Sequence, residues 1–263
     1  MTEIDLIHSL LKEASVYVRE QYARRERVGV QSKSNPNDLL TEVDLAVQDL
    51  IVEGVRNCFP GDAIAAEERD FAHAPLDPDA RCWVIDPIDG TQNFVRGFFP
   101  MFGISIAFVR GGMAVAAGVA LPISGGCFLA ERGAGSCRDE CRLRVSDVAS
   151  AAVARVEVDF SGPPERAETL RRTSRLICGA GQVRCACATV VSLCQIAAGE
   201  MDGFVHVALH PWDYAAAQLI VEEAGGRATR LDGRPLGVFD GRKGALLSNG
   251  HIHPELLSLV DNP

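Results

Sequence analysis

The stretch Cys82-Trp83-Val84-Ile85-Asp86-Pro87-Ile88-Asp89-Gly90-Thr91-Gln92-Asn93-Phe94 changes character twice. The apolar run from Cys82 to Ile85 reads as a buried strand and stops at Asp86. Pro87 has no amide N–H, so it cannot continue a sheet ladder. Asp89 comes three residues after Asp86, close enough for a tight turn to bring both carboxylates to one side. Gly90 permits close backbone approach, and Thr91 to Phe94 can open a helix. The segment is thus a strand, a turn and a helix with two acids at the mouth. A helix start offers free N–H groups and a partial positive charge, a natural place for an anion. Carboxylates beside such a place repel the anion unless cations intervene. Mg²⁺ suits that role, because it shares oxygen ligands between carboxylates and phosphate. Taken alone, the same string also reads as an Asx-type turn.

Working outward, residues 3–20 carry Ile4, Ile7, Leu11, Ala14 and Val18 at helical spacing, with Thr2 as a cap. Ser32 to Asn37 is a polar loop containing Pro36. A second helix follows Thr41, with Val43, Val47, Leu50 and Val55 on one face, and Phe59-Pro60-Gly61-Asp62 turns the chain. Ala63 to Ala66 is a short apolar strand ending at Glu67-Glu68. Gly103 to Val109 and Met113 to Leu121 flank Arg110-Gly111-Gly112 as a hairpin, and Cys127 to Glu131 is a further strand. The first half therefore reads as two helices on a largely antiparallel sheet. In the second half, strands are expected at Val153–Phe160, Leu176–Cys178, Phe204–Val207 and Ala245–Ser248. Helices are expected at Glu165–Arg172, Thr189–Ala198, Asp213–Ala224 and His253–Leu259, the third closed by Gly225-Gly226. A division near residue 144 gives an N-terminal α+β part, 1–143, and a C-terminal α/β part, 144–263.

The chain of 263 residues suffices for one large domain or two closely packed ones. Its 47% hydrophobic and 23% charged content is an ordinary globular balance. The formal net charge is −9, and no basic stripe of useful length appears. Arg24-Arg25-Glu26-Arg27 is short and interrupted, so direct nucleic-acid binding is not expected. Nine cysteines are scattered along the chain. Glu3, Asp5, Lys12 and Glu13 break any apolar leader, so reduced cysteines and a cytoplasmic location are expected. Cys185-Ala-Cys187 and Cys137 with Cys141 lack the paired spacing of a structural zinc site, and no histidine lies close by in sequence. No apolar stretch reaches the length of a membrane span.

Three further acidic positions carry structural readings of their own. Glu67-Glu68 suits a solvated turn. Asp213, in Pro211-Trp212-Asp213, sits where a helix begins and reads as an N-cap. Thr41-Glu-Val-Asp44 reads as a capping box with aspartate at its fourth position.

Together these motifs resemble the inositol monophosphatase family, within the lithium-sensitive, magnesium-dependent phosphatase superfamily that includes fructose-1,6-bisphosphatase. The markers are Asp38-Leu-Leu-Thr41-Glu-Val-Asp44, Ala66-Glu67-Glu68, Trp83 to Phe94, and Trp212-Asp213 followed by Glu222-Glu-Ala-Gly-Gly226. They occur in the family's order over nearly the whole chain. The resemblance implies an α+β fold, a layered αβαβα sandwich, and commonly a homodimer. It implies hydrolysis of a small phosphate monoester, such as inositol 1-phosphate, by water activated at two or three Mg²⁺ ions. Glu67 matches a metal-bridging glutamate that also serves catalysis, and Asp86 matches an aspartate shared by two metals. Ile88 matches a ligand through its main-chain carbonyl, and Asp89 and Asp213 match the remaining ligands of the second metal. Gly90 and Thr91 match the phosphate-binding amides, and Asp44 and Thr91 the pair that helps activate water. Most of these ligands fall in the N-terminal part, and Asp213 in the C-terminal one.

The pattern breaks at the substrate end. In inositol-specific relatives a Gly-Thr-Ala stretch and a downstream glutamate contact sugar hydroxyls. Those positions fall here on Cys187, Ala188 and Thr189 and on His206, which could suit a second anionic group. Histidinol phosphatase, fructose-1,6-bisphosphatase and nucleotide 3'-phosphatase activities therefore stay open beside the inositol one. A regulatory role in contact with the transcription machinery is the alternative of another class.

Overall fold

The computed structural model describes residues 1–33, 38–69, 80–97, 99–160 and 162–260. Helix α1 (Glu3–Ala23) begins at Thr2, whose hydroxyl accepts from Asp5 N while Asp5 returns a bond to Thr2 N. Strands β1 (Val30–Ser32) and β2 (Leu39–Thr41) form a small antiparallel ribbon. Residues 34–37 of the expected polar loop lie outside the described residues. Helix α2 (Glu42–Cys58) starts in a complete capping box between Thr41 and Asp44.

The first sheet has seven strands: β3 (Ala63–Ala66), β4 (Cys82–Asp89), β5 (Gly103–Arg110), β6 (Met113–Ala120), β7 (Cys127–Glu131), β8 (Gly135–Arg138) and β9 (Cys141–Arg142), in that spatial order. Only β3 and β4 run parallel. Helix α3 (Thr91–Arg96) leaves the end of β4. Helices α1 and α2 bury Leu6, Ile7, Leu11, Val18, Val47 and Ile51 against one face of this sheet. At Gly118 on β6 a Cβ would stand 2.6 Å from both Ile7 and Leu11, so the missing side chain sets how closely α1 approaches.

The second sheet combines β10 (Arg155–Val158), β11 (Gln182–Arg184), β12 (Gly203–Leu209), β13 (Arg227–Arg230) and β14 (Lys243–Ser248) in the order β11-β10-β12-β14-β13. β10 runs parallel to both β11 and β12, and the remaining pairs are antiparallel. Helices α5 (Thr189–Ala197) and α6 (Pro211–Glu223) lie between the two sheets. Every residue of α6 from Tyr214 to Val221 is buried, as expected of a helix covered on all sides. Helices α4 (Pro163–Gly179) and α7 (His253–Leu259) cover the outer face of the second sheet with Leu176, Ile252 and Leu256. The layers are therefore helix, sheet, helix, sheet, helix: an α+β αβαβα sandwich.

Several expected elements shift. Leu176–Cys178 forms the last turn of α4 rather than a strand. A short apolar run fits either element. Here Leu176 lies on the same buried side of the helix as Thr169 and Thr173, whose hydroxyls bond back to the Glu165 and Thr169 carbonyls. The strand expected over Val153–Phe160 shrinks to β10, because Ala151–Val153 is a short 3-10 turn. β1, β2, β8, β9, β11 and β13 were not expected. They are short edge or near-edge strands that exist through pairing with a neighbour rather than through alternation of their own. Pairing on β4 does not end at Asp86 but resumes at Asp89 opposite Gly103, after an irregularity around Pro87.

Candidate active site

Parallel pairing aligns the carboxyl ends of β3 and β4. Ala66 lies opposite Ile85, so Glu67 emerges beside Asp86, and Glu67 N donates to Ile85 O at 3.2 Å. Gln48 on α2 fixes the next residue from both sides: its Nε2 donates to Glu68 O at 2.7 Å, and Glu68 N donates to its Oε1 at 2.9 Å. Asp86 is 1% exposed, and among the described residues no donor reaches its Oδ1. Asp89 Oδ2 accepts from Val190 N at 2.8 Å, at the start of α5. Asp213 is the third residue of α6 rather than its N-cap. The cap is His210, whose N–H donates to Asp213 Oδ2 at 2.8 Å. This is still a capping arrangement, moved by Pro211 at the first helical position. It leaves one carboxylate oxygen of Asp213 for the cleft.

These acids crowd one another. Burial pushes Asp86 and Asp89 well above the usual carboxylate range, with Glu67, Asp89 and Asp213 adding repulsion at Asp86. Burial and then Glu67 push Asp213 up to about 7. Glu68 also rises to about 7, through burial and then Glu67. Lys33 supplies the cation on this side: its Nζ lies 2.8 Å from Glu67 Oε1 and also bonds Glu68. Burial alone would lower the lysine pKa, but the two glutamates more than offset it and hold it raised. Such an array of buried like charges is costly unless paired. Oxygen donors around an orphaned carboxylate oxygen fit a hard divalent cation such as Mg²⁺. The available set is Glu67, Asp86, Asp89 and Asp213, with the Ile88 carbonyl in the same turn.

Gly90 caps α3 with φ of 87°, and a Cβ there would stand 2.9 Å from Met101 O and 3.1 Å from Ala188 Cβ. Only glycine fits both the angle and the space. Thr91 Oγ1 lies 3.0 Å from Asp44 Oδ1 and 3.0 Å from Ile88 O. Asp44 is fully buried, and its other oxygen takes bonds from the Thr41 amide, at 2.8 Å, and the Thr41 hydroxyl.

The cleft beside these acids, about 380 Å³, is lined by Lys33, Glu67, His206, His210, Asp213 and Arg242 among others. His206 is 6% exposed, and its Nδ1 accepts from Ala208 N at 3.0 Å, while burial lowers its pKa. Ala188 is buried against Gly90, and Thr189 is the buried first residue of α5. Cys187 is exposed and stands beside Cys185 rather than on the lining of the cleft. Lys33, Gln48, Asn93 and Arg242 were missed by sequence reading. Gln48 had a signal, lying one helical turn after Asp44. The other three depend on contacts between distant segments. Asn93 Nδ2, for example, donates to both Met101 O and Ala186 O at 2.8 Å.

A model of the inositol monophosphatase family matches residues 2–262. A Thermotoga maritima protein named fructose-1,6-bisphosphatase/inositol-1-monophosphatase is 35% identical over 266 residues, covering 99% of this chain and 96% of that one. A Vibrio cholerae protein named Nus factor SuhB is 31% identical over 224 residues, covering 84% of this chain and 82% of that one. The solved structure of a Thermotoga maritima IMPase matches with a TM-score of 0.86 at 33% identity, covering 98% of this chain and 96% of that one. With its acids gathered at the ends of β3 and β4 and in the first turn of α6 on this five-layer frame, the chain belongs to the inositol monophosphatase family.

Proposed function

We propose that this protein hydrolyses a small phosphate monoester in a Mg²⁺-dependent reaction. The observation that carries the reading is Asp86 Oδ1, buried with no donor among the described residues and surrounded by Glu67, Asp89 and Asp213. Glu67, Asp86, Asp89, Asp213 and the Ile88 carbonyl would hold the metal. When bound there, Mg²⁺ supplies Lewis acidity and the positive charge that the carboxylates require.

The chain's own groups then divide the work. The single proton of Thr91 Oγ1 is committed to Asp44 or to Ile88 O, so its lone pairs remain to accept a hydrogen bond from the attacking water and aim it. Asp44 holds Thr91 in that orientation from inside α2. The Gly90 and Thr91 amides receive phosphate oxygens. Positioning and electrostatics carry most of phosphoryl transfer, so no covalent phosphoenzyme is needed and the cysteines take no part in the step.

For the substrate, inositol 1-phosphate is the reading closest to the family. The cleft adds two cations, Lys33 and Arg242, and two histidines, His206 and His210, that burial keeps neutral, a lining that favours a phosphate ester bearing a second anionic group. The Thermotoga relative's name pairs a sugar bisphosphate with inositol phosphate in one protein, which suits such a lining. Histidinol phosphate and nucleotide 3'-phosphates complete the panel. Phosphate release should require Mg²⁺ and appear with at least one of these compounds. Absence of Mg²⁺-dependent release across all of them, with folded protein, rejects the reading. A binding role in transcription is the second reading, supported by the Nus factor relative. Retention of RNA polymerase by both the wild type and Asp89→Asn would favour it.

A further inference from the structure

Strands β10, β11 and β12 run parallel, so their carboxyl ends meet at one edge of the second sheet. That edge gathers groups that phosphate hydrolysis leaves unused. Asp159 directly follows β10, and its amide donates to Val205 O on β12 at 3.3 Å. Cys185 directly follows β11, next to Asp159 because Glu157 pairs with Arg184. Cys187 comes two residues later, with its Sγ 3.6 Å from Cys185 Sγ. One carboxylate oxygen of Asp159 and the two sulfurs all lie within 4.8 Å of one another. Asp159 is 8% exposed, while both cysteines are open to solvent.

The segment that carries the sulfurs is fixed from several sides. Ala186 N donates to Glu157 Oε1 at 3.0 Å, and Ala186 O accepts from Asn93 Nδ2 at 2.8 Å. Ala188 is pinned against Gly90. Cys187 has φ of 54°, a left-handed conformation that costs a non-glycine residue about 1–2 kcal/mol. Conformations of this kind persist where the surroundings over-determine them, and they cluster at ligand sites. The two sulfurs are therefore presented by a preset frame, not by mobile arms.

We propose that Asp159, Cys185 and Cys187 form a binding site for a zinc-class divalent cation, distinct from the oxygen-only Mg²⁺ site. Zn–S bonds of about 2.3 Å at a tetrahedral angle place two sulfurs about 3.8 Å apart, close to the spacing already present. Two thiolates and a carboxylate give three protein ligands and leave the fourth position open, the pattern of zinc sites that accept an outside ligand. Thiolate sulfur discriminates against Mg²⁺, and carboxylate oxygen favours it, so the two sites sort cations by ligand softness. Sequence spacing offers only the Cys185-Ala-Cys187 pair, which is short of a site, because the third ligand arrives from a different strand.

The test is a Cd²⁺ titration of the full-length, reduced protein with Mg²⁺ saturating, followed by sulfur-to-cadmium charge-transfer absorption. We expect a band that saturates at one Cd²⁺ per chain. It should vanish in Cys185→Ser and in Cys187→Ser, weaken at least about 10-fold in affinity in Asp159→Asn, and stay unchanged in Cys178→Ser, an exposed cysteine on α4. Protection of Cys185 and Cys187 from alkylation by one equivalent of Cd²⁺ tests the same site in the wild type, without relying on a variant to fold. No band in the wild type, a band that survives in both Cys185→Ser and Cys187→Ser, or alkylation unaffected by Cd²⁺ would overturn the proposal. The readouts are absorption and labelling, so failure of the phosphatase reading leaves them interpretable.

Discussion

The Thr91 hydroxyl lies 3.0 Å from Asp44 Oδ1, across 47 positions of sequence, and joins the first turn of α2 to the first residue of α3. Asp44 thereby serves two structures at once: it closes the capping box of α2 and holds the Thr91 hydroxyl beside the turn that follows β4. Removing the hydroxyl while keeping the shape separates these roles. Thr91→Val should lower kcat by about 100- to 1,000-fold, the range for loss of one well-placed polar group. KM should change little, because the Gly90 and Thr91 amides proposed to bind phosphate are untouched. Thr91→Ser should recover most of the rate. Steady-state kinetics on all three proteins decides the matter; equal loss in Ser and Val variants would remove Thr91 from water positioning.

Asp86 is buried with one carboxylate oxygen that no donor reaches among the described residues, and the cost falls on the metal-free protein. Asp86→Asn should cut kcat/KM by more than about 1,000-fold and remove Mg²⁺ stabilisation, while the metal-free protein becomes no less stable than wild type. At Mg²⁺ about 100-fold above its Kd, wild type should gain about 2.7 kcal/mol. In a chain of this size that is roughly 5–11 °C in Tm. Melting curves with Mg²⁺ and with EDTA, for both proteins, test the assignment. A variant that keeps the full Mg²⁺ shift would place the metal elsewhere.

Most of the frame was legible because its signals are local. Apolar spacing after Thr2 and after Thr41 announces two helices with their caps, and both starts close as capping boxes with Asp5 and Asp44. The acidic turn at Asp86 to Thr91 was legible for the same reason, since proline, glycine and two acids constrain a few consecutive residues. What escaped depends on distant partners. Leu176 to Cys178 is helical because α4 packs its Leu176 side inward, which no window of three residues encodes. Lys33 reaches Glu67 and Glu68 from a loop, and Gln48 clamps Glu68 from α2. Asp159 meets Cys185 only because β10 and β11 happen to be neighbours in the sheet.

His253 gives the fold a pH-dependent term away from the acids. It is fully buried, with Nε2 2.9 Å from Thr229 Oγ1 and Nδ1 2.8 Å from Ser248 Oγ. Burial, then Arg227, lowers its pKa from 6.5 to about 4. Above pH 6.5 the ring is neutral in both folded and unfolded chains, and the term vanishes. Between 6.5 and 4 the unfolded chain takes up a proton that the folded chain refuses, so stability falls with pH. The loss approaches about 3 kcal/mol near pH 4. His253→Gln keeps a polar side chain without the titration. Urea unfolding with Mg²⁺ present should show a shallower loss from pH 7.5 to 5 in the variant. Parallel curves would mean that His253 carries no part of the acid sensitivity.

Substitution of Arg242 should separate the candidate substrates. It lines the cleft with Asp213, and its guanidinium lies 3.0 Å from Glu165 Oε1 on α4. The arginine is partly exposed, with room to turn toward a second anionic group, and a fork of N–H donors binds phosphate or carboxylate well. A charged hydrogen bond of this kind contributes about 1.5–3 kcal/mol, so Arg242→Ala should lower kcat/KM for fructose 1,6-bisphosphate by about 10- to 150-fold. Inositol 1-phosphate has only polyol hydroxyls at its far end, and its kcat/KM should change by less than about 3-fold. Sensitivity confined to the doubly anionic compound would tie Arg242 to substrate choice. Equal losses on both compounds would instead assign Arg242 to the shared phosphate, and no loss on either would leave it to its ion pair with Glu165.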